Sequence, residues 1–115
     1  MARTILIVDD YAPFRQMARS LLDNEGFTVV GEAENGVAAL RAAKELRPEI
    51  VLLDVQLPDF DGFEVADRLR NLDPAPIVIL TSSRDEYAPL IASSSARAFV
   101  LKDELSGDAL ASALA

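Results

Sequence analysis

The sequence predicts an α/β fold, a three-layer α/β/α sandwich built on a parallel sheet. Three observations carry that expectation: short apolar runs recur along the chain, stretches of helical period separate them, and the connections between are short throughout. A continuous β-branched-rich run is what a parallel strand needs, because helices cover such a sheet on both faces. Alternation of these runs with helices gives βαβ units with right-handed crossovers.

The first strand is Ile5-Leu6-Ile7-Val8. A helix follows over 13–24, with Phe14, Met17, Ala18, Leu21 and Leu22 on a stripe predicted to be buried and Arg15, Arg19 and Asp23 on the wet face. A second strand at 28–30 and a helix at 36–46 come next, then a strand at 50–53, a helix at 62–71 and a strand at 77–80. The fourth helical segment, 86–94, is weak, because Pro89 falls inside it and Ser93-Ser94-Ser95 closes it with poor helix formers. It is expected to be short, to start late or to fray. The fifth strand is Ala98–Leu101 and the last helix covers 105–114, running to Ala115 without a capping signal, as it would in a piece of a longer chain. No repeat, low-complexity stretch or internal boundary interrupts the 115 residues, so a single domain over 1–115 is expected.

Composition removes several function classes. Half of the residues are hydrophobic and 26% are charged, enough for one real core without covalent staples. With no cysteine, a disulfide framework and a thiolate metal site are both excluded. With no histidine, Ser–His and Cys–His nucleophile pairs, histidine general-base chemistry and imidazole ligation go as well. Any bound metal must therefore sit on oxygen, which favours a hard cation such as Mg2+. The net charge of −8 disfavours direct contact with nucleic acid or an anionic membrane. No apolar run approaches the roughly 18 residues needed to span a bilayer, and the start is too short and too soon acidic for a signal peptide. A cytoplasmic location is the default expectation.

Ligands of parallel α/β sheets bind where loops leave the carboxyl ends of the strands. The first run ends in Asp9-Asp10, the third in Asp54, the fourth in Thr81-Ser82-Ser83 and the fifth in Lys102. If the strand order brings those four strands together, the groups share one rim. Packed carboxylates repel one another and would take up a divalent cation. Asp54, at the end of a buried strand, is a rigidly placed carboxylate nucleophile able to form an aspartyl phosphate. The cation and Lys102 would offset charge on a transferring phosphoryl group, and the Thr81 hydroxyl can donate a hydrogen bond to it. Taken singly, each residue has a plainer reading. Asp9 and Asp10 read equally well as helix caps, Asp54 as a turn residue, Thr81 as a strand-end hydroxyl and Lys102 as a solvated surface lysine. Their coincidence at successive strand ends favours the chemical reading.

The segments 5–10, 51–62, 77–82 and 99–102 (ILIVDD, VLLDVQLPDFDG, IVILTS and FVLK) come in an order and at a spacing that resemble the receiver domains of two-component response regulators over nearly the whole chain. The resemblance implies a flavodoxin-like fold with strand order 2-1-3-4-5. It implies Asp54 as the phosphoacceptor, and Asp9, Asp10 and Asp54 with the backbone carbonyl of Gln56 as ligands of Mg2+ (or Mn2+). It further implies Lys102 as the lysine paired with the phosphoryl group, Thr81 as the switch hydroxyl, and Phe99 as the switch aromatic, which read alone is a core or half-buried ring. Pro58 would fix the loop after the third strand, and Gly62 would supply backbone geometry other residues resist. The expected donor is a histidine kinase or histidine phosphotransfer protein acting in trans, since this chain has no histidine. A homodimer through the fourth helical segment, fifth strand and fifth helix is plausible for the family, and the style of 80–84 and 102–106 is similar to receivers attached to helix-turn-helix DNA-binding domains.

Several positions depart from the family pattern. Leu57 stands where methionine is commoner, Ser95-Ala96 replaces glycine-alanine, and Asp103 follows Lys102 where many receivers have a cis-bonded proline. The weak fourth helical segment suggests a pliable output face. Gln56 and Ser83 occupy positions that in the family line the access of water to the phosphoryl group; neither is a strong acid or base, so slow to moderate self-dephosphorylation is expected. Such a domain is consumed as a substrate and is not a turnover enzyme. Two other classes share part of this pattern: a Mg2+-dependent aspartate-nucleophile phosphatase, which usually spaces two aspartates two residues apart after the first strand, and a pseudo-receiver used only for protein contacts.

Overall fold

Period-two alternation within the apolar runs divides the core into two layers, one on each side of the sheet. The computed structural model describes residues 3–115. Its strands are β1 (Arg3–Val8), β2 (Phe27–Ala33), β3 (Ile50–Asp54), β4 (Ile77–Ser82) and β5 (Ala98–Leu101), all parallel in the order β2-β1-β3-β4-β5. The helices are α1 (Ala12–Asn24), α2 (Gly36–Leu46), α3 (Gly62–Leu69) and α4 (Gly107–Leu114), with 3-10 turns over Asp85–Ser93 and Lys102–Glu104. Ile5, Ile7, Ile50, Leu52 and Ile79 face Phe14, Ala18 and Leu22 of α1 and Leu110 of α4. Leu6, Val8, Val51, Leu53 and Leu80 face Ala39 and Ala43 of α2 and Val65, Ala66 and Leu69 of α3. The flavodoxin-like α/β/α sandwich and its strand order are as the sequence implied. No helix among the described residues is long and apolar enough to cross a membrane.

The helix starts follow local chemistry. Asn35 caps α2 by accepting from the Ala38 N–H at 2.8 Å, Asp61 caps α3 through the Glu64 N–H at 2.8 Å, and Ser106 caps α4 through the Ala109 N–H at 2.9 Å. Helix α1 has no such cap; Tyr11 stands at its N-cap without a side-chain bond and Pro13 lies in its first turn. Asp9 and Asp10 therefore do not cap α1, contrary to the plainer reading of them.

Five expectations need correction. Strand β2 runs on to Ala33, because Gly31, Glu32 and Ala33 pair with Leu6, Ile7 and Val8 although they form no apolar run. Helix α3 stops at Leu69 rather than 71, and α4 begins at Gly107 rather than 105, behind its Ser106 cap. Met17 is 44% exposed and lies outside the buried stripe of α1. The fourth helical segment is no frayed α-helix but 3-10 turns from Asp85 to Ser93, with Pro89 inside and no buried residue; Pro89 cannot supply an α-helical N–H and its ring crowds the preceding turn.

Candidate functional site

The carboxyl ends of β1, β3 and β4 lie side by side, with β5 next in order, so the rim that the strand-end residues required is formed. Asp54 pairs in register with Thr81, and the residue before Asp54 pairs with the residue before Asp9. Carboxylate oxygens of Asp9, Asp10 and Asp54 all lie within 4.8 Å of one another. Asp9 is fully buried, Asp54 is 5% exposed, and Asp10 is exposed at the mouth. Lys102 follows β5 directly, and its Nζ lies 2.6 Å from Asp9 Oδ2 and 3.4 Å from Asp54 Oδ2. The Asp9 contact is short but off the axis of a well-formed hydrogen bond, so Oδ2 is matched in charge and still lacks an aligned donor. Lys102 also lies over the Phe14 ring, 4.7 Å from its centroid.

The electrostatics follow from crowding. Burial, then the neighbouring Asp9 charge, pushes the Asp54 carboxyl up from 3.8 to about 6; Lys102 and the Gln56 N–H pull it back only in part. Burial alone would lower the Lys102 ammonium, but Asp9 and Asp54 together outweigh it and hold its pKa above the ordinary value. Each residue thus makes its neighbours' ionisation matter. A hard dication among these oxygens would remove the repulsion that raises Asp54, and an oxygen-only donor set with one unaligned buried oxygen suits such an ion.

The loop from β3 to α3 is fixed on several sides. The Gln56 N–H donates to Asp54 Oδ1 at 3.3 Å, and Gln56 pairs across the loop with Asp61. Asp59 accepts from the N–H groups of Gly36 (2.7 Å), Phe60 (2.9 Å) and Val37 (3.0 Å), tying this loop to the start of α2. Those bonds, Gly36 foremost, hold the Asp59 carboxyl below the usual range. Gly62 is needed here for space and not, as the sequence suggested, for unusual backbone geometry. A Cβ at this position would stand 2.6 Å from the Asp54 carbonyl oxygen and 2.8 Å from Val55 Cα.

Thr81 is 1% exposed and its hydroxyl has no hydrogen-bond partner, an expensive state for a buried polar group. Phe99 is half-buried, pairs in register with Leu80 and packs beside Tyr87, Ile91 and Ala96 on the α2–α3 side. The bond after Lys102 is trans; the cis peptide of the described residues is Asp73-Pro74. Ser83 and Pro58 are exposed.

Three participants escaped the sequence reading. Arg15, placed on the wet face, is instead only 16% exposed and donates through Nη1 to the Asp9 carbonyl at 2.6 Å. Glu32 receives both Arg15 and Arg19, and Tyr87 accepts a hydrogen bond from Gln56 Nε2 at 3.0 Å. No motif announces them, because Arg15 meets a backbone carbonyl and Glu32 reaches α1 only once β2 is extended.

Known proteins with this arrangement are numerous. The sequence is 39% identical over 106 residues to the virulence-factor transcription regulator BvgA of Bordetella pertussis, covering 90% of this chain and 51% of that protein. It is 34% identical over 104 residues to the chemotaxis protein CheY of Thermotoga maritima, covering 89% and 87%. The signal receiver domain of the response regulator NarL from Mycobacterium tuberculosis superposes with a TM-score of 0.85 at 32% identity, over 98% of this chain and 97% of that one. The chain spans about half the length of the transcription regulators it matches. The sequence model described as "Response regulator receiver domain" matches residues 5–115. With the acids, the threonine and the lysine on one rim of a 2-1-3-4-5 sheet and that match over nearly the whole chain, this protein belongs to the response regulator receiver domain family.

Proposed function

We propose that this chain accepts a phosphoryl group from the phosphohistidine of a histidine kinase or histidine phosphotransfer protein onto Asp54. The observation that carries the proposal is the three carboxylates within 4.8 Å of one another, with Lys102 reaching two of them. A Asp54 carboxylate oxygen attacks phosphorus, the phosphorus–nitrogen bond of the donor breaks, and its electron pair leaves on the imidazole nitrogen. Asp9, Asp10, Asp54 and the Gln56 backbone carbonyl would hold Mg2+ (or Mn2+), which supplies charge neutralisation at the phosphoryl oxygens. Lys102 gives up its hold on Asp54 to pair with the incoming group. The unpartnered Thr81 hydroxyl donates to a phosphoryl oxygen, and Phe99 turns toward the space this vacates. The face formed by Asp85–Ser93, β5 and α4 changes in response, and dimerisation through that face is part of the proposal. So is a DNA-binding effector following this domain in a longer cytoplasmic protein. The domain itself, at net charge −8, does not bind DNA and does not turn over as an enzyme.

The test is intact-protein mass after incubation with acetyl phosphate or phosphoramidate, with and without Mg2+, beside Asp54→Ala. One Mg2+-dependent adduct in the wild type and none in the variant is the expected result. An adduct surviving in Asp54→Ala would mean that another residue is the acceptor. No adduct with any donor would leave a protein-interaction module, and turnover of small phosphate esters would point to a phosphatase. Followed over time, the adduct should persist well beyond seconds, since neither Gln56 nor Ser83 supplies a strong acid or base.

A further inference from the structure

Asp9 is held through each of its polar atoms. Its N–H donates to the Ala33 carbonyl at 3.0 Å, its Oδ1 accepts from the Tyr11 N–H at 2.9 Å, and its Oδ2 faces Lys102 Nζ at 2.6 Å. The fourth contact is the Arg15 Nη1 bond to its carbonyl oxygen, at 2.6 Å. Only this last one ties the end of β1 to the body of α1. It matters more here than elsewhere, because α1 begins without a side-chain cap and without an acid in its first turn. The turn Asp9-Asp10-Tyr11 is closed by the Asp9 Oδ1 bond to the Tyr11 N–H, but no cap or first-turn acid fixes it to the helix that follows. Arg15 is itself anchored: its Nε donates to Glu32 Oε1 at 3.0 Å, and Glu32 Oε2 takes Arg19 Nε at 2.8 Å. The planar guanidinium meets a carboxylate on β2 and the carbonyl of the residue just past β1 at once, which a lysine ammonium on its flexible stem cannot reproduce.

We infer that Arg15, oriented by Glu32, is a positioning residue for the acidic pair: it fixes the backbone at Asp9 and so sets where the Asp9 and Asp10 carboxylates stand relative to Asp54. This rests on the cation reading of that rim. Arg15 touches none of the carboxylate oxygens, so its effect passes through the main chain. Two physical accounts predict opposite signs for its removal. As a nearby positive charge, Arg15 opposes a dication, and deleting it would tighten binding. As a support of the ligands, its loss lets the pair drift and weakens binding, as losses of groups that orient metal ligands do.

The experiment uses Mn2+ alone as probe, with free ion read by electron paramagnetic resonance, on the wild type, Arg15→Ala, Arg15→Lys, Arg19→Ala and Glu32→Gln. Arg15→Ala should weaken Mn2+ binding about tenfold. Arg15→Lys should recover only part of that loss although the charge is restored. Glu32→Gln should fall between Arg15→Ala and wild type, and Arg19→Ala, which shares Glu32 but not Asp9, should stay within about twofold of wild type. Hydrogen exchange of the Tyr11 amide should speed up in Arg15→Ala and not in Arg19→Ala. Unchanged or tighter Mn2+ binding in Arg15→Ala, or full recovery by Arg15→Lys, would overturn the inference. If Arg15→Ala does not fold, Glu32→Gln with wild-type affinity does the same. A wild-type chain that takes up no Mn2+ would overturn the cation reading itself, an outcome distinct from all of these.

Discussion

Strands β3 and β5 belong to one sheet and flank the same β4, yet they live in different surroundings. All five residues of β3 are buried, whereas β5 has one buried residue of four and is preceded by a 3-10 segment with none. The difference lies in what covers each. β3 is central, sandwiched by both core layers, and its exit is packed against Gly62 and tied through Asp59 to α2. β5 is an edge strand, and the Asp85–Ser93 turns beside it contribute Tyr87 and Ile91 only as partly buried contacts. A phosphoacceptor must be held in one place to react, while a readout face must be cheap to rearrange. On the proposed function, these demands are separated across a single intervening strand, with the acceptor carboxylate at the stiff side and the responding surface at the loose one.

The stiff side can be broken at Gly62. A methyl group there meets backbone on two sides, at 2.6 Å and 2.8 Å, and neither atom can yield as a flexible side chain would. Gly62→Ala should cost about 3 kcal/mol, the upper part of the range for overpacking a core, seen as a lower urea midpoint at unchanged slope. Because the displaced atoms are those of Asp54 and Val55, phosphorylation should fall as well, even at temperatures where the variant stays folded. A variant that melts early but reacts normally would show that the rim is less rigid than β3's burial suggests.

Much of this stiff side is legible in the sequence, for a physical reason. Parallel strands covered on both faces must be apolar without interruption, so β1, β3 and β4 stand out as runs, and the first polar residue after each is a rim residue. Asp9, Asp54 and Thr81 are found that way, and Lys102 likewise at the end of β5. What stays hidden depends on partners distant in sequence. Gly31, Glu32 and Ala33 become strand only by pairing with β1, and Arg15 looks like a solvated helix residue until the Asp9 carbonyl and Glu32 meet it. Met17 fits the apolar stripe of α1 by type, and only the folded packing shows it half outside. For the loose side, Pro89 announced a poor α-helix, but not that the chain would adopt 3-10 turns throughout.

The stiffness has a cost that pH should reveal. The Asp54 carboxyl titrates at about 6 in the fold against an ordinary 3.8, so between those values the folded chain binds the extra proton. Stability from this group is therefore highest at low pH, falls as pH rises from about 4 through 6, and its penalty is complete by pH 7. Asp54→Asn removes the titration. In the absence of divalent cations the variant should be more stable than wild type by about 2 kcal/mol at pH 7.5, the full shift being an upper limit. The advantage should shrink toward zero near pH 4, and Mg2+ should close the gap at neutral pH by stabilising the wild type selectively. The quantity to measure is the difference between the two urea curves, since the chain's 19 acids move both. A pH-independent difference would mean that Asp54 is not destabilised by burial and Asp9.

The smallest expected effect tests whether the two sides are separate at all. Gln56, two residues beyond Asp54, donates through Nε2 to the Tyr87 hydroxyl at 3.0 Å, and the Phe63 ring lies 6.3 Å from the Tyr87 ring. This bridge joins the stiff loop to the 3-10 segment. Tyr87→Phe removes the hydrogen bond and keeps the ring contact, a loss of about 0.5 kcal/mol for an exposed pair. If the segment opens locally, amide exchange across 85–93 should be weakly protected in the wild type and quicken about twofold in the variant. The amides of β1, β3 and β4 should remain far slower than those of the segment in both proteins and quicken by no more than the same factor, because they exchange only through global opening, in which this bond is lost too. Segment amides as slow as those of β1, β3 and β4 would make the molecule one cooperative unit, and a change at Asp85–Ser93 could then be reached from Asp54 only by loosening the whole fold. A segment that exchanges faster than the strands, and faster still in the variant, would instead leave the Gln56–Tyr87 bond as a local link through which an altered Asp54 loop can act on the proposed readout face.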